Sequence, residues 1–257
     1  MKKLLALLIF MVICISIITP SKVHAVDITA GITSWIVGAH TAEQRLNQGD
    51  YKIDNDNPQL LIGPALAVKL NEDYNLTFVY LTGKIDYHDK NIQEHFKSKR
   101  NDADIALNYR LNNYFKVFIG MKYLSFDMMP IVNSDGIDFY ENYGRHTSMG
   151  PGLGLSATFP MTENLFLLAT LSGFYLFDMN EKIRNQTNGE SSPIPYREQG
   201  FNSTLSLAYY ISSISTVISL GGRWQYFTTN YKDKFSGIKV SNSFAGITLT
   251  ATYTFSI

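Results

Sequence analysis

Residues 247–257 read Ile-Thr-Leu-Thr-Ala-Thr-Tyr-Thr-Phe-Ser-Ile. Successive side chains of an extended strand point to opposite sides. Ile247, Leu249, Ala251, Tyr253, Phe255 and Ile257 therefore share one face, while Thr248, Thr250, Thr252, Thr254 and Ser256 share the other. An apolar row backed by a row of hydroxyls suits a wall with lipid outside and water inside, the reverse of a soluble barrel. The same alternation recurs upstream. Ile105, Leu107, Tyr109 and Leu111 oppose Asp104, Ala106, Asn108 and Arg110, and Phe115, Val117, Ile119, Met121 and Tyr123 oppose Lys116, Phe118, Gly120 and Lys122.

Short polar turns join these strands at one end: Asn71-Glu72-Asp73, Asn112-Asn113-Tyr114, Thr162-Glu163-Asn164 and a serine-rich turn at Ser212 to Ser215. Long hydrophilic stretches join them at the other, over 40–59, 88–100, 128–145, 179–199 and 230–241. The expected strands are 27–38, 60–70, 74–87, 101–111, 115–127, 146–161, 165–178, 200–211, 216–228 and 242–257. Most are longer than the roughly 5 or 6 residues usual in soluble sheets and reach the ~9 to 11 needed to cross a tilted barrel wall. The fold class is therefore all-β, a membrane-spanning antiparallel up-and-down β-barrel of about ten strands. Because directly opposed residues share a face, three-residue turns predict register. Val68 should face Leu76 and Leu66 Phe78; Leu107 should face Ile119 and Asp104 Lys122; Phe159 should face Leu167 and Leu155 Leu171. Gly152 and Gly154 should face Phe174 and Ser172 inward.

Lys2 and Lys3 precede an apolar run from Leu4 to about Ile18, then Pro20 and the small-residue site Val23-His24-Ala25. That pattern predicts a signal peptide over residues 1–25, cleaved after Ala25, and a single barrel over 26–257. Cleavage removes Cys14, the chain's one cysteine, so disulfide and thiol chemistry are excluded from the mature protein. It also removes Lys2, Lys3 and Lys22, leaving 19 basic against 22 acidic residues. A balance near zero offers nothing to nucleic acid.

The whole mature chain resembles the small outer-membrane β-barrels of Gram-negative bacteria, as a class and not as one family. The resemblance implies the bacterial outer membrane, contact with its lipid and lipopolysaccharide, and both termini on the periplasmic side with the short turns. Two interfacial aromatic belts are expected, Tyr74, Tyr114, Tyr253 and Phe255 at the turn end and Tyr87, Tyr123, Tyr175, Trp224 and Tyr226 towards the loop end. Members of this class commonly end in an aromatic residue read by the barrel-assembly machinery. Leu249, Tyr253 and Phe255 fit that signal, whereas the chain ends in Ile257.

Function lives in sites grafted on folds. Alternation places Asp27, Lys69, Asp104, Arg110, Lys116, Lys122 and Arg223 in the lumen, where they are either paired charges or the lining of a narrow anion-preferring path. His40, His88, His95 and His146 lie in or beside the long loops at spacings that match no metal-ligand motif, and no cofactor is implied. Asp102-Ala103-Asp104 and Asp86-Tyr87-His88 are similar to the rim pairs of omptins, ten-stranded outer-membrane proteases. Here the order is reversed and both pairs fall on one hairpin. His146-Thr147-Ser148 resembles the His-x-Ser of outer-membrane lipid A deacylases, but on the inward face. Neither is taken as catalytic. The expectation is a barrel with surface-exposed loops in a structural or recognition role, an extracellular ligand being held through 40–59 and 179–199. A narrow solute channel is the alternative, and a rim-site hydrolase a third.

Overall fold

The computed structural model describes residues 27–45, 49–54, 57–89, 94–129, 142–179, 182–185, 191–193, 195–232 and 239–256. The expected signal segment 1–25, with Cys14, and the terminal Ile257 lie outside the described residues. Thirteen strands follow in chain order: β1 Asp27–Arg45, β2 Gly49–Asp54, β3 Gln59–Lys69, β4 Tyr74–Asp89, β5 Glu94–Arg110, β6 Phe115–Met129, β7 Asn142–Pro160, β8 Leu165–Asp178, β9 Lys182–Asn185, β10 Ser191–Pro193, β11 Tyr196–Ile211, β12 Thr216–Tyr231 and β13 Lys239–Ser256. Ten of them form an antiparallel ring in the order β1, β3, β4, β5, β6, β7, β8, β11, β12, β13. The ring closes through β1 against β13, from Asp27 opposite Ser256 to Gln44 opposite Lys239. The short β2, β9 and β10 extend the wall at the loop end, β2 on β1, β9 on β7 and β10 on β9.

Three of the four short turns are each set by one side-chain oxygen. The Asn71 carboxamide oxygen accepts the backbone N–H of Asp73 and of Tyr74, both at 2.9 Å. Asn112 does the same for Tyr114 and Phe115 at 2.8 and 2.9 Å, and the Thr162 hydroxyl accepts from Leu165 at 3.1 Å. These residues offer the backbone a local partner that ends the ladder and reverses the chain. The registers agree with those read from the turns. Val68 faces Leu76, Leu107 faces Ile119, Asp104 faces Lys122, Leu155 faces Leu171, and Gly152 faces Phe174. The fourth turn is a 3-10 turn, Ser212–Ile214, closed by Ser215 at φ 47.

The wall's outer face carries exposed Ile32, Ile119, Leu153, Leu171, Leu205, Leu220 and Ile247. Two expectations need correction. Among the described residues the hydrophilic stretches 40–59, 88–100 and 179–199 are largely strand: β1 runs on to Arg45 and β2 covers Gly49–Asp54, β4 runs on to Asp89 and β5 starts at Glu94, and β9, β10 and the start of β11 at Tyr196 fall in the last. The lumen, expected to be polar throughout, is apolar in its loop-side half. Trp35, Leu61, Leu81, Ile85, Leu124, Phe174, Leu176, Phe227 and Phe244 pack there as a buried core. Both departures share a cause. A strand of 16 residues such as β4 spans about 53 Å, or about 40 Å in height at a tilt of about 40°, against an apolar belt of about 25 Å. The excess stands clear of the belt, where the wall is wet outside and must be packed inside.

Candidate functional site

At mid-height the lumen is crossed by ionic contacts. Asp102 accepts from Lys122 Nζ at 2.6 Å, from Arg100 Nη2 at 2.9 Å and from Arg223 Nη2 at 3.3 Å. Lys122 also reaches Asp104 at 3.1 Å, and Arg223 lies 3.9 Å from it. Arg100 donates to the Gln225 carboxamide oxygen as well. β5, which carries Arg100 and Asp102, and β12, which carries Arg223 and Gln225, lie diametrically opposite in the ring. The contacts therefore span the bore. Three cations meet two carboxylates, and aromatic faces take up the surplus. The Arg100 guanidinium lies 3.9 Å from the Phe244 ring centroid and 5.3 Å from those of Trp35 and Phe126, and Arg223 lies 4.4 Å from Trp35. Arg100 is fully buried.

Above this layer, towards the loops, lies a second cluster. Glu198 on β11 is buried and uses both oxygens: one is 2.8 Å from His146 Nε2 and accepts from the Thr229 hydroxyl at 3.0 Å, and the other accepts from the Ser148 hydroxyl. His146 stacks on Tyr196 with ring centroids 3.9 Å apart. Histidine, serine and carboxylate are thus together, yet the serine donates to the carboxylate and is fully buried. A serine nucleophile needs its base at the hydroxyl and an approach for substrate. This cluster instead ties β7 to β11 across the intervening β8.

Below the ionic layer the lumen opens into a cavity of about 390 Å³, roofed by Asp104, Lys122 and Arg223 and lined by Thr77, Asn108, Phe118, Thr170, Asn202 and Thr204. A recess of about 200 Å³ at the turn-side mouth shares Asn108 with it and carries Lys69, Arg110 and Lys116. There the charges are exposed and loosely paired, Lys69 with Asp27 at 3.7 Å and Arg110 with Asp73 at 3.4 Å.

The seven lumenal charges read from the sequence are thus divided. Asp104, Lys122 and Arg223 join the deep layer, while Asp27, Lys69, Arg110 and Lys116 stand at the mouth. Arg100, Gln225 and Glu198 were missed, and Asp102, the centre of the layer, was read only as one of the rim pair. Arg100 and Glu198 fell within stretches read as loop, and continuing the strand alternation two residues outward would have placed Arg100 beside Asp102. Of the aromatic belts, Tyr74 lies by Tyr109 at 5.0 Å and Tyr253 by Phe255 at 6.1 Å near the turns, Trp224 donates to the Ser243 hydroxyl, and Tyr175 packs on Phe177. Tyr87 does not stand on the outer wall. It is buried in the lumenal core, because its odd position on β4 shares the inward face of Leu81 and Ile85. Of the omptin-like pairs, Asp86 lies on the outer face opposite Lys97, 4.0 Å away, and Asp102 is locked in the ionic layer, so the wall separates them. Among the described residues no group of three or more His, Cys, Asp or Glu is placed to hold a metal ion. The side chains of His88 and His95 lie outside the described residues.

The sequence matches no protein-family model and no curated protein. Among solved structures it is similar to the outer membrane protease OmpT of Escherichia coli, at 14% identity over 91% of this chain and 99% of that one, with a TM-score of 0.52. The attachment invasion locus protein Ail of Yersinia pestis also matches, at 12% identity over 88% and 98% with a TM-score of 0.33. So does the toluene transporter TodX of P. putida, at 9% identity over 92% and 91% with a TM-score of 0.36. At such identities the likeness concerns the fold and not a shared activity. The closed ring of ten long strands and its apolar outer face, with the likeness to the OmpT structure, give the chain the fold of the bacterial outer-membrane β-barrels.

Proposed function

We propose that this is a non-conducting outer-membrane barrel that works at its loop end, in a structural or recognition role, with both termini periplasmic after removal of residues 1–25. One observation carries the reading. Contacts across the bore, Arg100 to Gln225 and Arg223 to Asp102 under the Phe126, Phe227 and Phe244 rings, leave fully buried side chains where a pore would need water. Insertion would use the barrel-assembly machinery through Leu249, Tyr253 and Phe255. A surface ligand would meet the segments 40–59 and 179–199 at the loop end. The alternative, a narrow solute channel, draws on the cavity of about 390 Å³, and requires the ionic layer to part.

The test is planar-bilayer conductance of the refolded mature protein. The wild type is expected to be silent and an Arg100→Ala/Phe244→Ala variant to pass current; steady current through the wild type would favour the channel. Orientation is read separately. An epitope inserted between Ile53 and Asp54 should be reached by antibody on intact cells, and one at Asn113 only after the outer membrane is permeabilised.

A further inference from the structure

The outer face of the β4–β5 hairpin changes character along its length. From the turn upward, the outward residues of β4 are Leu76, Phe78, Tyr80, Thr82, Lys84 and Asp86, facing Leu107, Ile105, Ala103, Asn101, Lys99 and Lys97 of β5. The apolar rungs end at Tyr80. The Tyr80 and Thr82 hydroxyls donate to the Asn101 carboxamide oxygen at 2.9 and 2.8 Å, a polar step on the outer face of this hairpin, while Ile62 of β3, opposite Thr82, stays apolar. The next rung sets Lys84 directly opposite Lys99. Like charges directly opposed on an antiparallel pair are destabilising. Both lysines are exposed, and neither has an ion pair or hydrogen bond among the described residues. On its other side Lys99 stands directly opposite Asp127 of β6, whose side chain is buried and engaged in a contact of its own, while Lys84 and Lys99 remain exposed. One rung higher, Lys97 adds a third cation, held loosely to Asp86 at 4.0 Å.

Four positions separate Tyr80 from Lys84, about 13 Å along the strand and about 10 Å in height at a tilt of about 40°. Tyrosines at the end of an apolar belt mark the boundary of the hydrocarbon. The paired lysines therefore stand at the level of lipid headgroups, on the lipid-facing side of the wall. A phosphate between two ammonium groups would turn their repulsion into two charge-assisted hydrogen bonds. We infer that Lys84 and Lys99, assisted by Lys97, form a binding site for the phosphate of an anionic lipid in the leaflet at the loop end. The site is independent of whether the lumen conducts.

The experiment follows thermal unfolding of the refolded protein in vesicles of phosphatidylcholine and in phosphatidylcholine containing one-fifth lipid A. The wild type should gain a few degrees in midpoint with the phosphorylated lipid, by preferential binding to the folded barrel. A Lys84→Gln/Lys99→Gln variant should lose that gain yet be at least as stable as wild type in phosphatidylcholine alone, because the repulsion is gone. Lys84→Glu should be more stable than wild type in phosphatidylcholine, through a new pair with Lys99, and gain nothing from lipid A. Lys239→Gln, an outward cation on β13, should keep the full gain. An undiminished gain in the double variant would overturn the site. So would a double variant less stable than wild type in phosphatidylcholine, or an equal gain produced by inorganic phosphate without anionic lipid.

Discussion

Asp102 receives three cations, and its removal would strand them in a buried layer. Breaking a buried charge cluster by deleting one partner costs about 3–5 kcal/mol, whereas an exposed pair contributes about 0–1 kcal/mol. Asp102→Ala should therefore greatly lower the urea concentration at which the refolded barrel unfolds, while Lys69→Ala, at the exposed mouth, should leave it nearly unchanged. Ser148→Ala gives a second comparison. Glu198 keeps His146 and Thr229 as partners when the serine is lost, so about 1 kcal/mol is expected, against a much larger loss for Glu198→Ala, which leaves the buried Ser148 and Thr229 hydroxyls without their acceptor. Parallel unfolding curves of the two variants check the difference. At this scale the sequence was legible where a charge interrupts a strongly alternating strand, as at Asp104, Lys122 and Arg223. Arg100 and Glu198 were not, because their neighbours Lys99 and Arg197 are charged too, and a run of polar residues carries no contrast between faces.

Elements were read well at the turn end and poorly at the loop end. A turn such as Asn112-Asn113-Tyr114 is bounded by Leu111 and Phe115, whose shared outward face fixes the register on both sides. Beyond the lipid belt the outer face is wet, so the period-two hydropathy contrast that marks a membrane strand disappears even though pairing continues to His88 opposite His95. Asn112→Ala removes two acceptor contacts from the turn and should slow insertion into vesicles with a loss of about 1 kcal/mol. Glycines give a sharper test. A methyl group at Gly154 would lie 2.4 Å from the Phe118 ring, whereas at Gly222 it would meet nothing within 4 Å. Gly154→Ala should hinder folding and Gly222→Ala should not, as read by the fraction migrating as folded barrel before heating.

As a whole, the molecule joins two kinds of wall. The turn-side half is apolar outside and polar within; the loop-side half carries Thr82, Asn101, Lys84 and Lys99 outside and a core of Trp35, Phe227 and Phe244 within. Truncating that core should act as in a soluble domain. Phe244→Ala removes a ring that contacts Arg100, Phe126 and Phe227, and a loss of about 3–5 kcal/mol is expected in equilibrium unfolding. The diametric placement of β5 and β12 has a consequence for how the ring is counted. On an open sheet Arg100 and Asp102 have no access to Arg223 and Gln225, so the cluster is completed only when β1 meets β13. A ring closed one hairpin short would set β5 against a different strand and leave charge without a counterpart in its interior. The cluster thus works as a gauge of circumference, favouring ten strands over eight or twelve at the last step of assembly.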